Sequence, residues 1–279
     1  MNQRKNAFTF IGAIFGICSN WASILSYLGL PIAFILAICK KYIWAIVLAV
    51  IAFSMLIVIH ACMKHRDSII KFVLRLFAPN STYCFSKWEV IYEYIATDEM
   101  KLHTRYTVKA LQTGVDHIRV RFNWSGATET NPIHPIPSLN SGCTTQRIEF
   151  AGDEYGYKNY NLYNRTAFNK GDPDVKLGVD IENMKTTGQK EVSHHLLTSV
   201  SVVTDTLHMK VILPKSIYPA NVVAHEYLHA TDNNHWRDRS ADCQPIRQDD
   251  GTWVISWNID KPVFGGKYIV YWDPEVAIN

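Results

Sequence analysis

The string His225-Glu226-Tyr227-Leu228-His229-Ala230-Thr231-Asp232-Asn233-Asn234-His235 has the residue types and the spacing of a zinc site. On a helix, His225 and His229 stand at i, i+4 and project to one side. Two imidazoles there bind Zn2+, Glu226 polarises the metal-bound water as general base, and His235 returns after a turn as a third ligand. The same stretch also alternates as a strand, with Val223, His225, Tyr227 and His229 on one side, so residue types leave 221–232 open between helix and strand. A second stretch with binding chemistry runs from Gly152 to Tyr163, where Tyr155, Tyr157, Tyr160 and Tyr163 stand among Asn, Asp and Lys. Such rings stack on a small polar ligand while the polar groups hydrogen-bond to it. No GxSxG elbow, P-loop or GxGxxG occurs, which removes the familiar nucleophile and phosphate-loop chemistries.

HEYLHATDNNH resembles the metzincin zinc-protease signature. The resemblance implies a peptidase with His225, His229 and His235 as metal ligands and Glu226 as the catalytic base. It covers only this string, and Asp232 stands where the family has its turn glycine. The last methionine is Met209, upstream of the motif, so the family's downstream methionine turn is absent.

The elements that must position these residues divide sharply by solvent. Residues 7–63 are almost wholly apolar and break at Cys39-Lys40-Lys41-Tyr42 into two stretches. The second, IWAIVLAVIAFSMLIVIHACM, has about 21 residues at a rise of about 1.5 Å, which matches the roughly 30 Å hydrocarbon core. The first contains Ser19, Asn20, Ser23, Ser26 and Pro31, so either 7–30 or 21–38 forms its crossing. Arg4 and Lys5 precede the first span, and Lys64, Arg66, Lys71 and Arg75 follow the second. By the positive-inside rule both ends face the cytoplasm. Next, Ile69, Phe72, Val73 and Leu76 share one helical face, with Lys71 and Arg75 on another, as in an interfacial or extended helix that Pro79 ends. The expected organisation is a two-span anchor over 1–66, an amphipathic or extended helical linker over 67–84, and a β-rich cytoplasmic domain over 85–279.

From Phe85 the period of the apolar residues changes to two. Trp88, Val90, Tyr92 and Tyr94 alternate with Glu89, Ile91, Glu93 and Ile95, and 102–110 follows the same rule. Ile118, Val120 and Phe122 alternate with Arg119 and Arg121, a half-buried strand with a basic outer side. Further runs lie at 175–181, 200–203 and 207–213, while 190–198 is the most helix-like piece. At the C-terminus Trp253, Ile255, Trp257 and Ile259 share one side, Pro262 to Gly266 make a turn, and Tyr268, Val270 and Trp272 return as an expected hairpin partner. The predicted fold class is two N-terminal transmembrane helices plus an all-β soluble domain, an antiparallel sandwich or barrel. Six cysteines without CxxC spacing point to reduced thiols. A net charge of +3 with scattered basic residues argues against a nucleic-acid polymer as partner.

Two spans, a short basic link and a strand-rich domain together resemble the bacterial two-transmembrane, β-strand-rich effectors of nucleotide-signalled, CBASS-like anti-phage defence. This architectural resemblance implies an inner-membrane protein with both termini cytoplasmic, whose β domain senses a small nucleotide, forms a homo-oligomer and perturbs the lipid bilayer. On that reading no cofactor is expected; Zn2+ enters only with the peptidase alternative. A membrane-anchored protein-interaction module without enzymatic activity is the third reading.

Overall fold

The computed structural model describes residues 32, 42–44, 46, 47, 50, 51, 53, 54 and 57, then 81–96, 99–122, 135–139, 142–154, 157–185, 195–228 and 236–276. The chain divides into two compact units, Met1–Phe77 and Ala78–Asn279. In the first, the described residues are helical, and Ile43, Trp44, Ile46 and Phe53 expose their apolar side chains. Among the described residues no helix is long and apolar enough to cross a membrane. Most of the two expected spans and of the expected 67–84 linker lies outside the described residues.

The second unit is built almost wholly of strands. In chain order they are β1 (Tyr83–Ala96), β2 (Glu99–Ala110), β3 (Val115–Phe122), β4 (Ile136–Pro137), β5 (Thr145–Glu154), β6 (Tyr157–Phe168) and β7 (Val175–Lys185). β8 (His195–Ser199), β9 (Thr204–Leu213), β10 (Ile217–Tyr227), β11 (Trp236–Asp238), β12 (Ile246–Arg247), β13 (Trp253–Asp260) and β14 (Lys267–Val276) complete it, with a 3-10 turn at Ser240–Cys243. They form a seven-stranded sheet in the order β12-β13-β9-β1-β2-β7-β4, a four-stranded sheet β11-β10-β14-β8 and a three-stranded sheet β3-β6-β5.

Alternation along each strand creates the core. On β9, Leu207, Met209, Val211 and Leu213 are buried while His208, Lys210 and Ile212 point the other way. Strands turn successive side chains to opposite faces, so such a run buries one whole side of a sheet. The inward sides of all three sheets share one hydrophobic core, with Tyr106, Leu162, Trp257, Tyr268 and Trp272 among its members. Each large side chain buried there contributes about 1.5–3 kcal/mol of transfer free energy. Among the described residues, Cys143 and Cys243 are free thiols.

Four sequence expectations are corrected. β13 and β14 do not form a hairpin, because β13 lies between β12 and β9 while β14 lies between β10 and β8. The connection between them crosses from one sheet to the other, and Trp257 meets Tyr268 across the core, ring centroids 5.6 Å apart. Alternation reports which side of a strand is buried and is silent about its neighbour. The run at 200–203 is no strand: Val200 instead donates its N–H to the Gly266 carbonyl and accepts from Gly265. Residues 195–198 of the helix-like stretch are strand, part of β8. Finally, the seven-stranded sheet is mixed, because β1 and β9 run parallel.

Candidate functional site

The histidine-rich motif lies on β10. Residues through Tyr227 are strand and Leu228 is a bend, so His225 and Glu226 point to opposite sides of the sheet. Glu226 faces inward, 2% exposed. It accepts hydrogen bonds on Oε2 from Arg239 Nη2 at 2.8 Å and Nε at 3.0 Å, and Tyr268 Oη lies 3.5 Å from Oε1. Hydrogen bonding to Glu226 raises the Arg239 pKa, while burial and the nearby Glu226 charge raise that of Tyr268. Tyr268 Oη in turn accepts the Val263 amide at 2.7 Å, which pins the crossing between β13 and β14.

His225 lies on the other side, stacked on Trp236 with ring centroids 3.6 Å apart and planes 20° from parallel. Burial lowers its pKa, against the opposing pull of Asp238. The zinc arrangement expected from the sequence needs Glu226 beside an open position between helix-borne imidazoles. Here the carboxylate is a buried ion-pair partner on the far side from His225, so these two residues do not fit that arrangement. His229 and His235 lie outside the described residues. Among the described residues no three His, Cys, Asp or Glu side chains converge to hold a metal ion.

The tyrosine run is split by the pleat of β6. Tyr160 turns inward, 7% exposed, and packs against Phe122 and Phe150. Tyr157 and Tyr163 turn outward, and Tyr155 lies outside the described residues. Register brings the outward side of β3 and β5 beside them: Arg121 pairs with Asn159, Arg119 with Asn161, and His117 and Arg147 flank Tyr163. The Arg147 guanidinium carbon lies 4.1 Å from the Tyr163 ring centroid, and that of Arg121 lies 4.8 Å from Tyr157. The His117 ring stands 5.1 Å from Tyr163 and its Nδ1 is 2.6 Å from Asp116, which lowers the Asp116 pKa. Two Arg–Tyr pairs therefore occupy one exposed sheet face, six residues apart on β6, or about 20 Å along an extended strand.

The outward side of the seven-stranded sheet holds a network that sequence reading missed. His103 on β2 has Nδ1 2.8 Å from Asp180 Oδ1 on β7 and Nε2 3.1 Å from Glu93 Oε2 on β1. Arg105 lies 2.7 Å from the same Asp180 oxygen. The Asp180 bond raises the His103 pKa. Burial pulls Asp180 upward, yet His103 and Arg105 outweigh it and hold its pKa at about 2. Alongside, His208 Nε2 is 2.9 Å from Ser256 Oγ, its Nδ1 is 3.5 Å from Glu89, and Glu89 pairs with Lys87 at 2.8 Å. This has the connectivity of a serine nucleophile, base and acid, but strand amides point within the sheet plane and cannot face an oxyanion above Ser256. Strand pairing alone unites these residues. The signal in the sequence was only a polar residue at every second position of 101–105 and 206–210, with Lys87, Glu89 and Glu93 interrupted by Ile91 on the strand between them.

No family model matches the chain, and no curated protein matches it in sequence. In structure it is similar to an M1 zinc metallopeptidase from Deinococcus radiodurans at 10% identity and a TM-score of 0.36, over 68% of this chain and 42% of that one. It is also similar to a putative protease from Parabacteroides distasonis ATCC 8503 at 6% identity and a TM-score of 0.38, over 68% and 40% of the two chains. The chain thus spans less than half the length of these solved structures. A likeness at such identity and TM-score bears on neither activity nor metal binding.

Proposed function

We propose that this chain is a membrane-anchored, β-rich sensor and effector whose outward β3-β6-β5 face binds an anionic, ring-bearing ligand of nucleotide type. The observation that supports this reading most is the doubled Arg–Tyr pairing, Arg147 over Tyr163 and Arg121 over Tyr157. A guanidinium held on a phenol ring can turn edge N–H groups to a phosphate, which it binds in a planar, bidentate way; on Arg147 the Nε lies 3.2 Å from Glu149 Oε1, which leaves its Nη groups for that contact. The half-buried ring beside it offers a base an edge or free face to stack on. His117 stands on the same face, its ring 5.1 Å from Tyr163. The apolar N-terminal stretch supplies the tie to the bilayer, and membrane perturbation is the output this layout suits.

Cells carrying the full chain test the coupling. Co-expression with an enzyme that makes cyclic nucleotides should depolarise the inner membrane, read with a potential-sensitive dye. Deleting residues 1–63 should abolish that effect while the β domain is still produced. Equal depolarisation by the deleted form would refute the effector reading.

A further inference from the structure

We infer that β5 is a self-pairing edge: two copies of this chain join β5 to β5, antiparallel about a twofold axis at Ile148, and extend the three-stranded sheet to six strands. In the order β3-β6-β5, β5 has β6 on one side; its start is tied to β7, where Thr144 donates its N–H to the Lys176 carbonyl and Thr145 Oγ1 accepts from Gly178, and from residue 146 on, among the described residues, no strand pairs with its other side. An unpaired row of amides and carbonyls is a template for another strand, and edges are ordinarily made short or given mismatched charges. The other edges are all shorter: β4 and β12 have two residues each, β11 has three and β8 five, while β3 has eight and turns Asp116, Arg119 and Arg121 toward solvent. β5 has ten residues. Its residues 146, 147, 149, 150 and 151 are exposed, Phe150 to 59%.

The charges on β5 are of opposite sign and two residues apart, with Arg147 Nε and Glu149 Oε1 3.2 Å from each other. A twofold at Ile148 sets Arg147 opposite Glu149 of the second copy, and Glu149 opposite Arg147, so that the four charges alternate in sign. Moving the axis to residue 147 or 149 would set like charges face to face, which is destabilising in a cross-strand pair. The register irregularities of β5 against β6 lie between Thr145 and Arg147 and between Phe150 and Gly152. The regular stretch 147–150 between them is therefore the part that presents a straight ladder. A twofold normal to the sheet keeps both outward faces on the same side, giving one continuous surface. The inference stands whether or not that surface binds a nucleotide.

Site-specific crosslinking of the full chain in detergent, without added nucleotide, tests it. Directly opposite residues of an antiparallel pair have Cα atoms about 4.5–5.5 Å apart, within disulfide range. Ile148→Cys should give an oxidation-dependent dimer above the background of the unsubstituted chain. Adding Arg147→Glu should weaken self-association about tenfold, because two like-charge pairs replace two opposite ones. The further exchange Glu149→Arg should restore the crosslink. No dimer beyond background with Ile148→Cys, or a dimer indifferent to Arg147→Glu, would overturn the inference.

Discussion

Glu226 shows how residue type and residue setting part company. Its sequence neighbours suggest a general base, but the folded chain uses the carboxylate to hold Arg239 and lie against Tyr268. Removing one partner of a buried pair costs about 3–5 kcal/mol, and the half-exposed Arg239 reduces that through solvent screening. Glu226→Ala should therefore lower unfolding free energy by about 2 kcal/mol, measured by urea denaturation; an unchanged midpoint would contradict a structural role. His103 makes a pH prediction with a definite sign. Its folded pKa is raised by Asp180 and Glu93, so its contribution is complete below the ordinary imidazole value near 6.5 and disappears as pH rises through the folded value. Asp180, held at about 2, contributes above its ordinary 3.8 and loses that contribution as pH falls toward 2. The stability gap between the parent chain and His103→Gln should accordingly be wide at pH 6 and shrink at pH 9; a gap that widens with pH would contradict the assignment. Neither role was legible from the sequence. An isolated His103 or Asp180 on an alternating strand carries no sign of the partner that register will bring to it.

At the scale of elements, alternation was the readable quantity. The inward set Trp253, Ile255, Trp257, Ile259 and the return set Tyr268, Val270, Trp272 were both legible, as was the basic outward side of β3. Their neighbours were not, since pairing is decided by the whole set of competing strands and by connections such as 261–266, whose buried Val263 and Phe264 carry the chain between sheets. The tyrosine run is divided for the same reason: a strand sends Tyr160 to the core and keeps Tyr157 and Tyr163 on the other side. Gly178 marks the joint of β4, β5 and β7. It donates its N–H to Thr145 Oγ1 at 2.9 Å, and a Cβ there would meet Cys143 Sγ at 2.8 Å, Ser138 Cβ at 2.9 Å and Arg105 Cδ at 3.0 Å. Gly178→Ala should therefore cost about 1–3 kcal/mol by overpacking. It should also disturb Arg105, so the pH dependence assigned to His103 and Asp180 should change with it. Full parental stability in a thermal melt would show that the joint yields more readily than its contacts indicate.

For the molecule as a whole, the strand-rich character of the second unit was plain in the sequence, because its apolar residues recur with the period of a strand. A binding face is harder to read, since it needs three strands in register before its cations and rings meet. Arg121, Arg147, Tyr157 and Tyr163 come from three separate parts of the sequence and become one surface only through the β3-β6-β5 order. If that surface binds phosphate through guanidinium groups, affinity should fall as salt rises, because the contacts displace counterions and are screened. The most direct test is equilibrium dialysis of the full chain in detergent against labelled cyclic dinucleotides, with the Arg121→Ala variant alongside. Saturable binding that weakens about tenfold or more in the variant, the loss expected for a charge-assisted hydrogen bond, is the predicted result. An absence of saturable binding, or equal affinity in both proteins, would contradict the assignment of this face as the sensor site.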